Sequence, residues 1–173
     1  REALLLAEDY WERTLGLFDV ACGAMKDIEI SETGALSLYG NHLGFGGFAK
    51  GCFAHRAENM IRDAGIESAY LDFGGSTITA IGAHPYGDSW MVSLTDPYTG
   101  RVLDEIKLKD MTLSTSGNTP GYSGHIVNPL TEAKNTRKML STVVARDALD
   151  AEVLSTVWMI ATVCPPPCVM CAA

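Results

Sequence analysis

The chain is short of basic residues: 13 Lys and Arg stand against 21 Asp and Glu, and the formal net charge is -8 over 173 residues. This balance excludes the broad basic surface that binding to a nucleic-acid backbone requires, so nucleic acid is not an expected partner. Any phosphate-bearing ligand must therefore be held locally, by backbone amides, by a single lysine or by a metal ion.

The sequence also lacks long hydrophobic runs. No stretch reaches the roughly 18 apolar residues that a membrane span requires, and no basic start followed by an apolar run marks a signal peptide. The opening residues, "REALLLAEDYWERTLG", predict a helix that is already under way, because no capping residue stands before it. We therefore expect an N-terminal segment to precede Arg1.

Cysteines are few and unevenly placed. Cys22 and Cys52 stand alone in apolar or glycine-rich surroundings, which predicts buried free thiols. The other three lie in "CPPPCVMC" near the C-terminus, where a single C-x-x-C supplies only half of a zinc site. Residues 164–173 are therefore expected to form an unstructured Cys- and Pro-rich tail.

Hydrophobic periodicity predicts one α+β domain over residues 1–163. Gly65 follows the second helical pattern in the position that glycine prefers, and Asp147 precedes the third as an N-cap. Strand patterns separated by turns fill the remainder, beginning with a hairpin around residues 32–34. The segments with helical spacing are 2–15, 47–64 and 148–162.

A glycine-rich segment, "LGFGGFAKGCF", leads into the second predicted helix. Glycines at 44, 46, 47 and 51 surround Lys50. Helix N-termini offer unpaired N–H groups, and glycine lets a ligand approach the backbone closely, so the segment predicts an anion site completed by the lysine ammonium. The alternative is that these glycines serve only the tight packing of a helix against a sheet.

Glu152 and Thr156 are four residues apart in the last predicted helix. Their carboxylate and hydroxyl therefore lie on one helix face, one turn apart. Both are hard oxygen ligands of the kind that Mg²⁺ accepts beside phosphate oxygens. The alternative is an ordinary surface glutamate, with a threonine that bonds back to its own helix.

The most polar stretch of the chain, "LSTSGNTPGYSGHIVNPLT", surrounds one histidine, His125. A histidine in a turn can act as a general base near neutral pH, and the Ser and Thr residues before it can donate hydrogen bonds to a phosphate or a ring carbonyl. A loop histidine satisfied by neighbouring backbone groups is the alternative. An anion cradle, hard oxygen ligands and a base in one small domain together indicate phosphoryl chemistry.

Four segments form a recognisable set: "TLGLFDVACGAM", "GFGGFAKGCFAHRAENMIRDAGIESAYLDFGGS", "LSTSGN" with "SGHIVNPLT", and "ARDALDAEVLSTV". They resemble motifs of the FAD:protein FMN transferases, the ApbE family. Their order and spacing agree with the family pattern up to about Ala161. The resemblance implies a mixed or antiparallel sheet with two or three packed helices, without the family's N-terminal segment.

Members of that family move FMN from FAD to a Thr or Ser hydroxyl of a target protein, release AMP and require Mg²⁺. The resemblance therefore implies FAD as substrate, Mg²⁺ as cofactor and an acceptor protein, such as a membrane redox subunit, as partner. His125 is the expected catalytic base. The Mg²⁺ ligands that the resemblance implies are the carbonyl of Gly47 and the side chains of Glu152 and Thr156. The residues expected at the FAD are Phe18, Asp19, Gly44, Lys50, Ser114, Thr115, Ser116, Gly117 and His125.

The sequence departs from the family pattern at several of these positions. Gly44 and Glu152 replace aspartates, Ser76 ends the family's Gly-Gly-Asp turn, and Asn128 replaces an aspartate after the histidine. Two alternative functions use the same residues: an Mg²⁺-dependent FAD pyrophosphatase, with water as the nucleophile, and a flavin-binding protein without turnover. The resemblance further implies an exported, periplasmic or membrane-associated protein of a bacterium.

Overall fold

The computed structural model describes residues 1–31, 36–37, 42–161 and 169–171. Its α-helices are Glu2–Arg13 (α1), Ala49–Asp63 (α2) and Ala148–Ile160 (α3). Its strands are Glu29–Ile30 (β1), Leu36–Ser37 (β2), Ala69–Phe73 (β3), Thr77–Ile81 (β4), Trp90–Thr95 (β5), Val102–Leu108 (β6), Met111–Gly117 (β7), Leu140–Ala145 (β8) and Val169–Cys171 (β9). The predicted α+β class is confirmed.

Local signals account for the ends of the helices. The Asp147 side chain accepts hydrogen bonds from the backbone N–H groups of Leu149 and Asp150, so it caps α3 as predicted. Gly65 follows α2 with a φ of +74°, a conformation that glycine adopts without the steric cost of a side chain. The predicted first hairpin is confirmed by the antiparallel pairing of β1 with β2, and its turn residues lie outside the described part of the chain.

The main sheet has the strand order β3-β4-β7-β8-β9. Its first three pairings are antiparallel, and β9 joins β8 in parallel. The prediction of an unstructured tail over 164–173 is therefore wrong for residues 169–171, which form a strand paired with β8. Cys164 and Cys168 lie outside the described residues.

The two faces of this sheet differ in chemistry. Ile78, Ala80 and Leu113 form an apolar cluster with Val92 and Leu108, which belong to a separate antiparallel hairpin, β5–β6. Because side chains alternate across a strand, the neighbouring threonines and serines of β4 and β7 point to the opposite face, where α2 and α3 pack. A helix thus lies on a polar sheet surface, and this arrangement positions the site.

Helix α1 packs on the other side of α3. Leu4, Ala7 and Tyr10 of α1 are buried against Val153 of α3 and against Phe48, which immediately precedes α2. No helix in the described part of the chain is long and apolar enough to cross a membrane.

The two isolated cysteines are less buried than predicted. Cys22 is exposed, and Cys52 is partly buried against the core that α1, α2 and α3 share. Cys22 lies in a turn with a φ of +54°. Glycine-rich flanks indicate close backbone approach, which does not by itself cover a side chain.

Candidate active site

One cavity of about 660 Å³ collects nearly all of the predicted site residues. It lies between the start of α2, the middle of α3, the ends of β7 and β8, and the loop that follows β7. The predicted residues that line it are Phe18, Asp19, Gly44, Gly47, Lys50, Thr115, Ser116, Gly117, His125, Glu152 and Thr156. Ser114 is the exception, because it is only 1% exposed and lies behind the cavity wall.

Close contact between α2 and α3 brings Lys50 to Glu152. A Cβ atom added at Gly51 would lie 3.0 Å from both the Ala148 carbonyl oxygen and the Glu152 Cβ, so a larger residue there would push the two helices apart. This packing places the Lys50 Nζ 2.5 Å from Glu152 Oε1. Gly51, which belongs to the predicted anion-binding segment, therefore also serves helix packing, the role that the sequence left open as an alternative.

Glu152 is the most constrained charged group of the site. Its residue is 1% exposed, and its second oxygen, Oε2, accepts hydrogen bonds from Thr77 Oγ1 at 2.5 Å and from Ser114 Oγ at 2.8 Å. Together with Lys50, three donors satisfy the buried carboxylate, as a buried charge requires. The alternative of an ordinary surface glutamate is wrong.

Hydroxyl groups extend this network toward Thr156. Ser116 Oγ lies 2.7 Å from Ser155 Oγ and 3.1 Å from Thr156 Oγ1, and Ser155 lies in turn 3.3 Å from Ser114. Thr156 also donates to the backbone carbonyl of Glu152 at 3.3 Å, the helix back-bonding that the sequence left open as its alternative. A continuous run of hydroxyls therefore joins the buried carboxylate to the cavity wall.

The donor set suits a hard cation. A Cβ atom at Gly47 would lie 3.2 Å from Thr156 Oγ1, so the Gly47 backbone lies directly against that hydroxyl. A carboxylate has about four acceptor positions, of which the three donors to Glu152 use three. Within the described residues, no group of three or more His, Cys, Asp or Glu side chains could hold a metal ion. A cation here would be held by one carboxylate and by phosphate oxygens of a bound substrate, which is how proteins commonly bind Mg²⁺.

Phe18 and Asp19 also line the cavity. Phe18 packs against Phe48 with ring centroids 5.9 Å apart, so its ring belongs to the core as well as to the cavity. Asp19 Oδ1 accepts a hydrogen bond from the Ala21 N–H at 2.6 Å, and Oδ2 accepts one from the Met25 N–H at 3.3 Å. The carboxylate of Asp19 thus holds the turn that places Phe18 at the cavity.

His125 is exposed on the cavity, and its imidazole stacks on the ring of Tyr122 with centroids 4.0 Å apart and planes 22° apart. Partial burial lowers the pKa of His125, because it disfavours the charged form, and the Lys50 ammonium lowers the pKa further by repulsion. Both effects favour the neutral imidazole near pH 7. A neutral imidazole beside a cavity is the form that can accept a proton.

Comparison with known proteins identifies the family of this chain. A sequence profile described as the ApbE family matches residues 24–164, which is most of the chain. This chain belongs to the ApbE family. An FAD:protein FMN transferase from Rhodobacter capsulatus is 32% identical over 136 residues, covering 72% of this chain and 25% of that protein. The chain therefore spans only about a quarter of that relative's length.

Solved structures of ApbE proteins share the fold. A flavin transferase ApbE from Vibrio cholerae superposes with a TM-score of 0.76 at 20% identity, covering 92% of this chain and 63% of that one. An ApbE protein from Thermotoga maritima gives a TM-score of 0.80 at 22% identity, covering 92% and 64% of the two chains. Both comparisons show a common fold, of which this ApbE-family chain spans just under two thirds.

Several residues at the ApbE-family site were not identified from the sequence. Thr77 donates to the Glu152 carboxylate, and Tyr122 stacks on His125. Ser155 joins Ser114 to Ser116 in the run of hydroxyls. Of these residues, only Thr77 has a signal in the sequence, because it is a polar residue in a predicted strand, where a core strand would carry an apolar one. The roles of Ser155 and Tyr122 depend on contacts between distant parts of the chain.

Asn118 anchors the loop that carries His125. It is fully buried, and its side-chain amide donates to the carbonyl oxygens of Asn135 at 3.0 Å and Arg137 at 2.8 Å. Its side-chain oxygen accepts a hydrogen bond from the Gly124 N–H at 3.1 Å, next to His125. One side chain therefore ties the two ends of the polar loop together.

We expect Asn118→Ala to lower the free energy of unfolding by about 2–4 kcal/mol, because a fully buried side chain loses three hydrogen bonds to the backbone. Urea denaturation measures this loss. Asn128→Ala is the matched control, since the Asn128 side chain accepts a single bond, from the Leu130 N–H, and its removal costs about 1 kcal/mol or less. Equal losses in the two variants would show that Asn118 does not anchor the loop.

Proposed function

We propose that this chain carries the active site of an FAD:protein FMN transferase, which moves FMN from FAD to a Thr or Ser hydroxyl of an acceptor protein and releases AMP. The observation that carries the proposal is that one cavity brings together the His125 imidazole, the Lys50 ammonium and the Glu152–Thr156 pair. The relative from Rhodobacter capsulatus, an FAD:protein FMN transferase, supports the same activity. The size of the cavity, about 660 Å³, lies within the range of small-molecule sites.

The proposed chemistry is an in-line phosphoryl transfer. The acceptor hydroxyl oxygen attacks the phosphorus of the FMN half of FAD, and His125 accepts the hydroxyl proton. The bond between that phosphorus and the bridging oxygen breaks, and AMP leaves with the bridging oxygen. A positioned base of this kind contributes about 10²–10⁴-fold to the rate.

Lys50 is placed to hold the diphosphate. Its side chain is 38% exposed, so the ammonium can contact a ligand while it keeps its bond to Glu152. The glycine segment before α2 lets a phosphate approach the backbone N–H groups near the positive end of the helix dipole. Together these donors offset the charge of a diphosphate in a protein whose net charge is -8.

The Gly47 carbonyl, the Glu152 carboxylate and the Thr156 hydroxyl are the groups that would hold Mg²⁺. When bound, the ion neutralises diphosphate charge and stabilises the negative charge on the leaving group. The Lys50 ammonium already lies 2.5 Å from Glu152 Oε1, so the ion and the ammonium would share this carboxylate. Thr77 and Ser114 keep the second oxygen of Glu152 oriented, as partners of a metal ligand commonly do.

A single assay tests the proposal. The protein is incubated with FAD and Mg²⁺, with and without a peptide that carries an acceptor threonine, and AMP release and peptide mass are followed. We expect AMP together with a peptide heavier by one FMN. The control is the same peptide with valine in place of threonine, which keeps the shape and removes the hydroxyl.

Two other outcomes would replace the proposal. AMP with free FMN, independent of the peptide, would identify an FAD pyrophosphatase in which water takes the place of the acceptor hydroxyl. Bound FAD without AMP would identify a flavin-binding protein without turnover. A membrane redox subunit as acceptor, and an exported or membrane-associated location, stay predictions from the family resemblance.

A further inference from the structure

Tyr122 is an aromatic residue that neither the motifs nor the proposed chemistry uses. Its ring is 64% exposed, although it lies on the cavity wall and stacks on the imidazole of His125. The centroid separation of 4.0 Å and the interplanar angle of 22° describe a face-to-face contact. The stack covers one face of the imidazole and leaves both ring nitrogens, which lie on its edge, uncovered by the tyrosine.

The backbone holds Tyr122 firmly. The Thr119 N–H donates to the Tyr122 carbonyl oxygen at 3.0 Å, and the Tyr122 N–H donates back to the Thr119 carbonyl oxygen at 3.2 Å. Asn118, one residue earlier, is fully buried and joins this turn to the Gly124 N–H. The tyrosine ring is therefore carried by a closed loop whose two ends are both bonded.

We propose that Tyr122 is a positioning residue that fixes the ring plane of His125, so that one imidazole nitrogen faces the acceptor hydroxyl. This inference rests on the proposed transferase function. A general base must lie within hydrogen-bond reach of its proton, and an exposed histidine otherwise rotates freely about its side-chain bonds. A stacked aromatic ring restricts that rotation without using either nitrogen.

The effect on the rate follows from the strength of the stack. Aromatic pairs contribute about 0.5–1.5 kcal/mol beyond area burial, which corresponds to about a 2- to 12-fold change in rate. We expect Tyr122→Leu to lower kcat by this factor and to leave the KM for FAD unchanged, because Lys50 and the glycine segment, which are proposed to hold the diphosphate, are not altered. Tyr122→Phe keeps the ring and is expected to restore kcat. Tyr86→Leu is the matched control, since Tyr86 is 95% exposed and does not line the cavity.

A second measurement does not depend on activity. Proton NMR of the wild-type chain should show the ring protons of His125 shifted upfield by the tyrosine ring current, with His125→Gln identifying the signals. We expect this shift to disappear in Tyr122→Leu and to remain in Tyr122→Phe. If the wild type transfers no FMN but shows the shift, the proposed function is wrong, whereas the stacking of Tyr122 on the His125 imidazole is confirmed.

Each of four results would overturn the positioning role. The first is a wild type without the upfield shift, and the second is a Tyr122→Leu variant that loses the shift but keeps its kcat. The third is a Tyr122→Phe variant that loses as much kcat as Tyr122→Leu. The fourth is a Tyr122→Leu variant whose KM for FAD rises while its kcat stays constant. The third result would assign the effect to the hydroxyl, and the fourth would make Tyr122 a ligand contact.

Discussion

His125→Gln lowers kcat for FMN transfer by about 10²–10⁴-fold, the contribution of a positioned general base, while FAD binding is retained. The imidazole is exposed on the cavity, so glutamine replaces it without opening a void in the core. Glutamine keeps hydrogen-bonding atoms at this position but cannot accept a proton at neutral pH. AMP release under single-turnover conditions measures the chemical step, and quenching of flavin fluorescence measures binding.

The pH profile of the wild-type chain gives a second view of the same residue. Burial and the Lys50 ammonium lower the pKa of His125 from its ordinary 6.5. The neutral imidazole is the active form, so activity is lost as the pH falls through that lowered pKa. The acid limb of kcat/KM should therefore lie below pH 6.5 and be absent from His125→Gln.

His84→Gln is the matched control for this substitution. His84 is exposed, and its ring contacts Tyr86 and Trp90 away from the cavity. This variant should keep wild-type kcat. If His125→Gln also keeps it, the imidazole takes no part in the chemistry and the proposed mechanism is wrong.

The second large effect is expected at Glu152. Glu152→Gln keeps the shape of the side chain and removes the charge that Lys50 faces at 2.5 Å. Removing one partner of a buried ion pair costs about 3–5 kcal/mol, and the 38% exposure of Lys50 reduces this to about 1–3 kcal/mol in the free energy of unfolding. Urea denaturation without added metal measures the loss.

We expect Glu152→Gln to weaken Mg²⁺ binding as well as the stability of the fold. Replacing residues that only orient a metal ligand costs about 10–100-fold in affinity, so loss of the single carboxylate should cost about 100-fold or more. Calorimetric titration of Mg²⁺ into the FAD-loaded protein measures this, in a His125→Gln background that prevents turnover. Glu152→Asp retains the charge and should retain most of the affinity.

Glu58→Gln is the control for loss of a carboxylate elsewhere. Glu58 pairs with Arg62 one turn along α2 and does not line the cavity. Wild-type Mg²⁺ affinity in Glu152→Gln would show that this carboxylate is not a ligand. The proposed cation site would then be wrong, whatever the effect on stability.

The secondary structure could be predicted because its signals are local. Asp147 caps a helix through the N–H groups two and three residues further on, and Gly65 ends another by its own backbone conformation. The alternation in β4 and β7 likewise depends only on neighbouring residues. Such elements follow from a short window of sequence wherever the fold does not override them.

The partners of the site residues could not be predicted in the same way. Glu152 bonds to Thr77, 75 residues earlier, and to Ser114, 38 residues earlier, and sequence spacing carries no information about such pairs. The surface alternative for Glu152 was plausible because the helix alone does not show which of its polar residues faces the sheet. The misjudged burial of Cys22 has the same origin, since burial depends on what covers a side chain.

The sequence by itself determined the helices, the strands and the residue types that can perform phosphoryl transfer, because each depends on a side chain and its near neighbours. Only the tertiary structure decided that Glu152 is buried under Lys50, that Asn118 closes the loop, and that the Tyr122 ring stacks on the imidazole. These contacts form when helices pack on a sheet and a loop folds back on itself, and their geometry depends on close approach between segments far apart in the chain.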